Sequence, residues 1–112
     1  MMARTKQYAL RVIKAVQSLP DHRVADVLGK QLLRSGTSVG ANYRSACRAK
    51  SPADFVNKLK IVEEEGDESL FWMELLVESG LTSQQKLGDL MKEGDEIVSI
   101  TVAALKTARQ NN

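Results

Sequence analysis

The sequence has few of the residues that small proteins use for disulfides, metal sites or base-stacking surfaces. Its 112 residues include one cysteine, Cys47, and one histidine, His22. A single cysteine excludes an internal disulfide, and one residue of each type is too few for a zinc site made by the protein alone. Five aromatic residues are too few for a β-sandwich or a platform that stacks nucleotide bases. We therefore predict no metal, no cofactor and no catalytic residue.

Long apolar runs are also missing. None approaches the ~18 residues of a membrane-spanning helix. The first ten residues, MMARTKQYAL, lack the apolar core of a signal peptide. We expect a soluble cytoplasmic protein with no membrane partner.

Proline is rare as well, and both prolines mark helix boundaries. Pro20 follows one amphipathic segment, and Ser51-Pro52 has the serine cap and first-turn proline of a helix start. Gly80 is a natural helix stop. Apolar residues recur at i, i+3, i+4 and i+7 between these points, the spacing of amphipathic helices. The pattern predicts one domain over residues 1–112, an all-α antiparallel up-down-up-down four-helix bundle with helices over about 4–19, 22–50, 52–79 and 83–108.

The second predicted helix contains a segment that helix propensity alone would break. Residues 35–41 read SGTSVGA, a poor helix-forming run. The 3.6-residue period nevertheless stays in phase on both sides, so we predict a continuous helix in which small residues let a neighbour approach closely. Its predicted core face comprises Val24, Leu28, Leu32, Ser35, Val39, Asn42, Tyr43 and Ala46.

The small net charge of +2 hides a division along the chain. Residues 1–50 carry ten Lys and Arg against two Asp and Glu, a net +8, and residues 51–112 carry six against twelve, a net −6. Much of the positive charge lies on the second helix, opposite its core face. That surface is either a solvated basic face or a docking surface for acidic protein or phosphate. We call this surface the basic stripe. Its candidate phosphate-binding residues are Arg23, Lys30, Arg34, Arg44, Arg48 and Lys50.

The third helix is apolar on two sides, and one of these sides is ringed by acids. A second apolar side bearing Trp and Phe should not stay in water. Neighbouring helices would cover part of it, and a subunit interface is the economical alternative. The basic stripe of one copy would then meet the acidic, aromatic face of the next in a head-to-tail contact. The predicted interface residues are Ile61, Phe71, Trp72, Leu75, Arg34, Arg44, Glu64 and Glu68.

The segment from Gln31 to Leu76 also carries specific motifs. They are Q-L-L-R-S at 31–35, S-V-G-A-N-Y-R at 38–44, R-A-K-S at 48–51, D-F at 54–55, K-L at 58–59 and V-E-E-E-G-D-E-S-L-F-W at 62–72. With them the chain resembles the family of four-helix-bundle proteins encoded in 23S ribosomal RNA intervening sequences. The first and last helices fit the family layout more loosely.

The resemblance implies a bacterial, cytoplasmic four-helix bundle that assembles as a homopentamer. It also implies kinship with the accessory variability determinant of diversity-generating retroelements, a basic pentameric barrel that binds nucleic acid and a reverse transcriptase. The family as a whole has no established enzyme activity. This chain is far less basic than that relative, so nucleic-acid binding does not follow from the resemblance alone.

Three functional hypotheses follow. The first is a non-catalytic oligomeric scaffold or adaptor of unestablished cellular role. The second is a nucleic-acid-binding accessory protein, with salt-sensitive phosphate contacts from the basic stripe. The third is a Mg²⁺-dependent all-α nucleotide pyrophosphohydrolase. Such bundles hold Mg²⁺ between E-x-x-E on one helix and E-x-x-D on a later one, and here Glu65–Glu68 and Glu93–Glu96 are both E-x-x-E with this spacing. We favour the first.

Overall fold

Four α-helices form the part of the chain that the structure, a computed structural model, describes, residues 1–110. In chain order they are α1 (Met2–Gln17), α2 (Arg23–Cys47), α3 (Pro52–Glu78) and α4 (Gln84–Gln110). Consecutive helices pack side by side, and α1 also meets α4, so the helices stand at the corners of a square. The bundle measures 47 × 20 × 19 Å. The predicted fold class, an all-α four-helix bundle, is confirmed.

The helix ends differ from the predicted ones by at most three residues. The largest difference is at the end of α2, which stops at Cys47 rather than residue 50. A residue that precedes proline is held out of the α region, and Ser51 is accordingly extended, with φ −159° and ψ 163°. Its Oγ accepts a hydrogen bond from the Asp54 amide at 3.0 Å. The residues before Ser51 therefore form the connection instead of a last helical turn.

The helix α2 is unbroken through residues 35–41, as the periodicity predicts. The small residues lie where α1 crosses it. A Cβ on Gly36 would stand 2.8 Å from Val12 Cγ1, and one on Gly40 would stand 3.2 Å from the Thr5 carbonyl oxygen. The two helices can approach this closely only because glycine has no side chain at these positions. Packing against α1 therefore outweighs the weak helix propensity of this run.

One predicted core residue of α2 is wrong. Val24 is 45% exposed, whereas its neighbour Ala25 is buried. Successive residues are ~100° apart around a helix. The packed face at the start of α2 is therefore centred one position later than the rest of the pattern indicates.

The core divides into a large cluster and a small one. The large cluster includes Tyr8 and Val12 of α1, and the small one is built on Ala46, Leu59 and Leu105. The division follows from helix length, since α1 has 16 residues and the other helices have 25 to 27. The small cluster thus belongs to the end of the bundle that α2, α3 and α4 form without α1.

A buried polar group lies within the large cluster. Tyr8 is 1% exposed, and its Oη lies 2.8 Å from Ser69 Oγ, which donates its own hydrogen to the Gly66 carbonyl oxygen at 2.7 Å. Burial raises the pKa of the Tyr8 phenol from 10.0 to about 12, so the phenol keeps its proton in moderately alkaline solution as well as at neutral pH. A Cβ on Gly94 of α4 would stand 2.6 Å from this Oη. The phenol therefore fits only because position 94 has no side chain.

We predict that Gly94→Ala lowers the free energy of unfolding by about 1–3 kcal/mol, because the new methyl group would displace a buried ring. The matched control is Gly88→Ala, also in α4, whose Cβ would meet only the flexible end of Gln84 at 3.1 Å. Replacing this helical glycine should raise stability by about 0.5–1 kcal/mol. Urea unfolding of both variants tests the difference. Equal stabilisation by the two substitutions would show that Tyr8 and Gly94 are not tightly packed.

Candidate interaction surfaces

The outer face of α3 exposes the predicted aromatic residues to different extents. Phe71 is 50% exposed and Ile61 is 37% exposed. Trp72 is partly buried against the large core cluster, and Leu75 is also partly buried. The Phe71 and Trp72 rings meet edge to face, with centroids 5.2 Å apart and planes at 66°. Phe71 therefore packs against the Trp72 ring, and Trp72 in turn packs against the core.

Trp72 is held by packing alone. Its indole Nε1 is buried and has no hydrogen-bond acceptor within residues 1–110. The predicted second apolar side of α3 is thus covered in part by the chain itself. The exposed part of this side centres on Phe71, and Ile61 is exposed nearer the N-terminus of α3.

Four acids line one shallow surface with Phe71. They are Glu64, Glu65, Asp67 and Glu68. Two of these acids already have a partner in the same chain.

Arg34 of α2 holds both of the paired acids. Its Nη1 lies 3.2 Å from Glu65 Oε2, and its Nη2 bonds Glu68. Partial burial, with the nearby Glu68 charge, raises the pKa of Glu65, and Arg34 opposes that rise. Glu64 and Asp67 have no basic group within ion-pair distance in the described chain. We call Phe71 with Glu64 and Asp67 the α3 knob.

Arg34 and Glu68 pair with each other within one chain, whereas the sequence pattern predicts both of them at a contact between subunits. Because α2 and α3 are antiparallel neighbours, residues at equal distances from their connection lie side by side, and Arg34 and Glu68 nearly satisfy this condition. The positions of these residues in the sequence therefore indicate that Arg34 pairs with Glu68, and they indicate its pairing with Glu65 as well.

The rest of the basic stripe is free of such pairs. Each of its other members is exposed, and none has a carboxylate within ion-pair distance among residues 1–110. These members are Arg23, Lys30, Arg44, Arg48 and Lys50. Arg48 and Lys50 line one shallow surface with Asp54 and Lys58 of α3, at the connection of the two helices.

A groove of about 350 Å³ runs between α1 and α2 on the outside of the bundle. The periodicity of a single helix does not reveal this groove, because its lining comes from two helices, which approach closely at Gly40. Its apolar floor and its two cations, Lys6 and Arg44, come from both helices. We call it the α1–α2 groove, and it is lined by Met2, Lys6, Ala9, Thr37, Gly40, Ala41 and Arg44.

The two E-x-x-E pairs do not converge, so the described residues lack the paired arrangement of acids that the Mg²⁺-dependent pyrophosphohydrolase hypothesis requires. Glu65 and Glu68 lie between α2 and α3, where Arg34 binds them. Glu93 and Glu96 lie between α4 and α1, on the opposite side of the square, where Arg4 binds each of them at 2.6 Å. An ion held between the two pairs would have to span the core. Within the described residues, no group of three or more His, Cys, Asp or Glu side chains is placed to hold a metal.

Comparison with known proteins identifies the family. A family model described as 23S rRNA-intervening sequence protein matches residues 1–103. The chain belongs to this family. The resemblance carried by residues 31–76 is thereby confirmed.

A solved relative of this family member has the same fold. It is the crystal structure of a protein with unknown function from the S23 ribosomal protein family of Bacteroides thetaiotaomicron. The two chains are 33% identical, with a TM-score of 0.88 over 94% of this chain and 97% of the other. No curated protein matches the chain. Neither the family nor the relative establishes a catalytic role, and no helix among residues 1–110 is long and apolar enough to cross a membrane.

We predict that the Arg4–Glu93 pair makes the stability of this family member depend on acid pH. The hydrogen bond from Arg4 lowers the pKa of Glu93 from its usual 4.5. A carboxylate with a lowered pKa stabilises the fold above its unfolded-state pKa, and this stabilisation is lost as the pH falls through the folded-state pKa. Glu93→Gln should therefore reduce the thermal midpoint at pH 7, with a difference that shrinks below pH 4.5.

Glu74→Gln is the matched control, since Glu74 is exposed and has no ion-pair partner within residues 1–110. Its thermal midpoint should stay close to that of the unaltered protein at every pH. A Glu93→Gln deficit that is equal at pH 7 and pH 2 would contradict the ion-pair explanation.

Proposed function

We propose that this protein is a non-catalytic helical scaffold that assembles with copies of itself through the outer face of α3. The observation that carries the proposal is Phe71, an aromatic side chain that is half exposed and packs edge to face against the partly buried ring of Trp72. The family resemblance implies a ring of five subunits, and the bacterial cytoplasm as the place of action belongs to the same proposal.

The energetics favour a covered Phe71. Full burial of a phenylalanine is worth about 1.5–3 kcal/mol, so covering the exposed half contributes on the order of 1 kcal/mol per contact. Rigid aromatic anchors lose little conformational entropy on binding, and aromatic residues dominate the centres of protein interfaces. Acids around such an anchor add selectivity for a basic partner surface. Phe71 thus has the surroundings of an interface anchor.

We expect light scattering to show an oligomer at micromolar concentration and Phe71→Gln to shift it to monomer. Glutamine keeps the helix propensity and removes the apolar ring. The control is Val102→Gln on α4, where the side chain is 44% exposed, and this variant should assemble normally. A monomeric unaltered protein, or a Phe71→Gln variant that assembles fully, would overturn the proposal.

A second candidate function is phosphate-backbone binding by the basic stripe. The observation in its favour is that three cations share one surface with a single acid, Asp54, and none of the three has an ion-pair partner in the described chain. The cations are Arg48, Lys50 and Lys58. Such a cluster contacts phosphates without reading base sequence. Arg34 is a weaker candidate, since two carboxylates already neutralise it. The reverse-transcriptase partner that the resemblance implies stays a prediction.

For this second candidate we predict RNA or DNA retention in a filter-binding assay at low salt, weakened at least tenfold by Arg48→Glu with Lys50→Glu. Neither residue lines the α1–α2 groove. The slope of log K against log salt should fall by about two units, one for each lost phosphate contact. Lys92→Glu with Lys106→Glu, both exposed on α4, is the charge-matched control. Absence of binding by the unaltered protein, or equal losses in the two double variants, rejects this function.

A further inference from the structure

The α1–α2 groove has the chemistry of a receptor for an acidic, aromatic surface. Gly40, Ala41 and Ala9 give it a floor of small residues, and its volume of about 350 Å³ is open to the outside of the bundle. Lys6 and Arg44 flank this floor. Both cations are exposed, and neither has a carboxylate within ion-pair distance in residues 1–110.

The α3 knob has the complementary chemistry. Its apolar element is Phe71, and its two free acids are Glu64 and Asp67. The other two acids of that surface, Glu65 and Glu68, both pair with Arg34, which offsets one of their two negative charges. One exposed ring with two free carboxylates therefore matches one small-residue groove with two free cations.

We propose that the α3 knob of one copy docks in the α1–α2 groove of a second copy, with Phe71 on the small-residue floor and Glu64 and Asp67 facing Lys6 and Arg44. This inference rests on the proposed self-assembly and names the surface that receives Phe71. The two surfaces belong to different helices, so the contact is heterologous: each copy offers one knob and one groove. Such contacts close into a ring or continue as a filament.

Charge excludes the two symmetric alternatives. A knob against a knob would bring the free acids of two copies together, and a groove against a groove would bring their cations together. Like charges facing each other in a contact cost several kcal/mol. Of these three contacts, the one between a knob and a groove pairs opposite charges, which favours a head-to-tail arrangement.

A complementation experiment tests this arrangement. Ala41→Glu fills the groove with a larger side chain and repels the acids of the knob, and Phe71→Gln removes the apolar element of the knob. Both positions are exposed, and circular dichroism with thermal unfolding confirms that each variant folds. We expect each variant alone to be monomeric. Ala103→Glu, at an exposed site on α4, is the control for Ala41→Glu and should assemble normally.

An equimolar mixture of the two variants decides the question. The Ala41→Glu copy keeps an intact knob, and the Phe71→Gln copy keeps an intact groove, so each mixed pair has one working contact. Native mass spectrometry should show a 1:1 heterodimer that grows no further. Normal assembly of Ala41→Glu, or two monomeric variants that do not combine, overturns the groove assignment and leaves the proposed self-assembly intact. A monomeric unaltered protein rejects the self-assembly itself.

A charge exchange supplies a second readout. Arg44→Glu should raise the dissociation constant of the assembly at least tenfold, because it brings a third acid to the contact. Adding Asp67→Arg to the same chain restores a pair of opposite sign, and most of the loss should be recovered. An equal defect in the single and the double variant would contradict a contact between these two positions.

Discussion

Close approach of helices at positions without side chains is the constraint on which this bundle depends. Gly36 and Gly40 admit Val12 and the Thr5 backbone of α1, and Gly94 admits the Tyr8 ring. A Cβ at any of these positions would stand 2.6 to 3.2 Å from its neighbour. Gly40 also lines the α1–α2 groove. This residue therefore belongs both to the packing inside the bundle and to a candidate binding surface outside it.

Two arginines divide the acidic residues into internal and external groups. Arg4 joins α1 to α4 through Glu93 and Glu96, and Arg34 joins α2 to α3 through Glu65 and Glu68. These pairs lie on opposite sides of the square and connect neighbouring helices. The acids that remain, Glu64 and Asp67 among them, are available to another molecule. The small net charge of +2 is thus the balance of internal pairs and separate free patches.

Long-range order in the hydrophobic pattern was more informative than local propensity. The weak run at residues 35–41 is helical because its periodicity agrees with that of its flanks, and the half-exposed Phe71 follows from a helix apolar on two sides. Relations between helices are not readable from this pattern. They decide the pairing of Arg34 within the chain, the partial burial of Trp72 and the separation of the two E-x-x-E pairs. Each of these depends on which helices are neighbours and on which residues lie side by side along them.

The sequence by itself determined the class of fold, the helix ends to within three residues and the family. These properties depend on local chemistry and periodicity, which are readable along one chain. Only the tertiary structure decided which charges are already neutralised and where a groove opens. Ion pairing and groove shape depend on distances between side chains far apart in sequence, such as Arg4 and Glu93. Those distances are set when four helices pack together, and no single helix contains them.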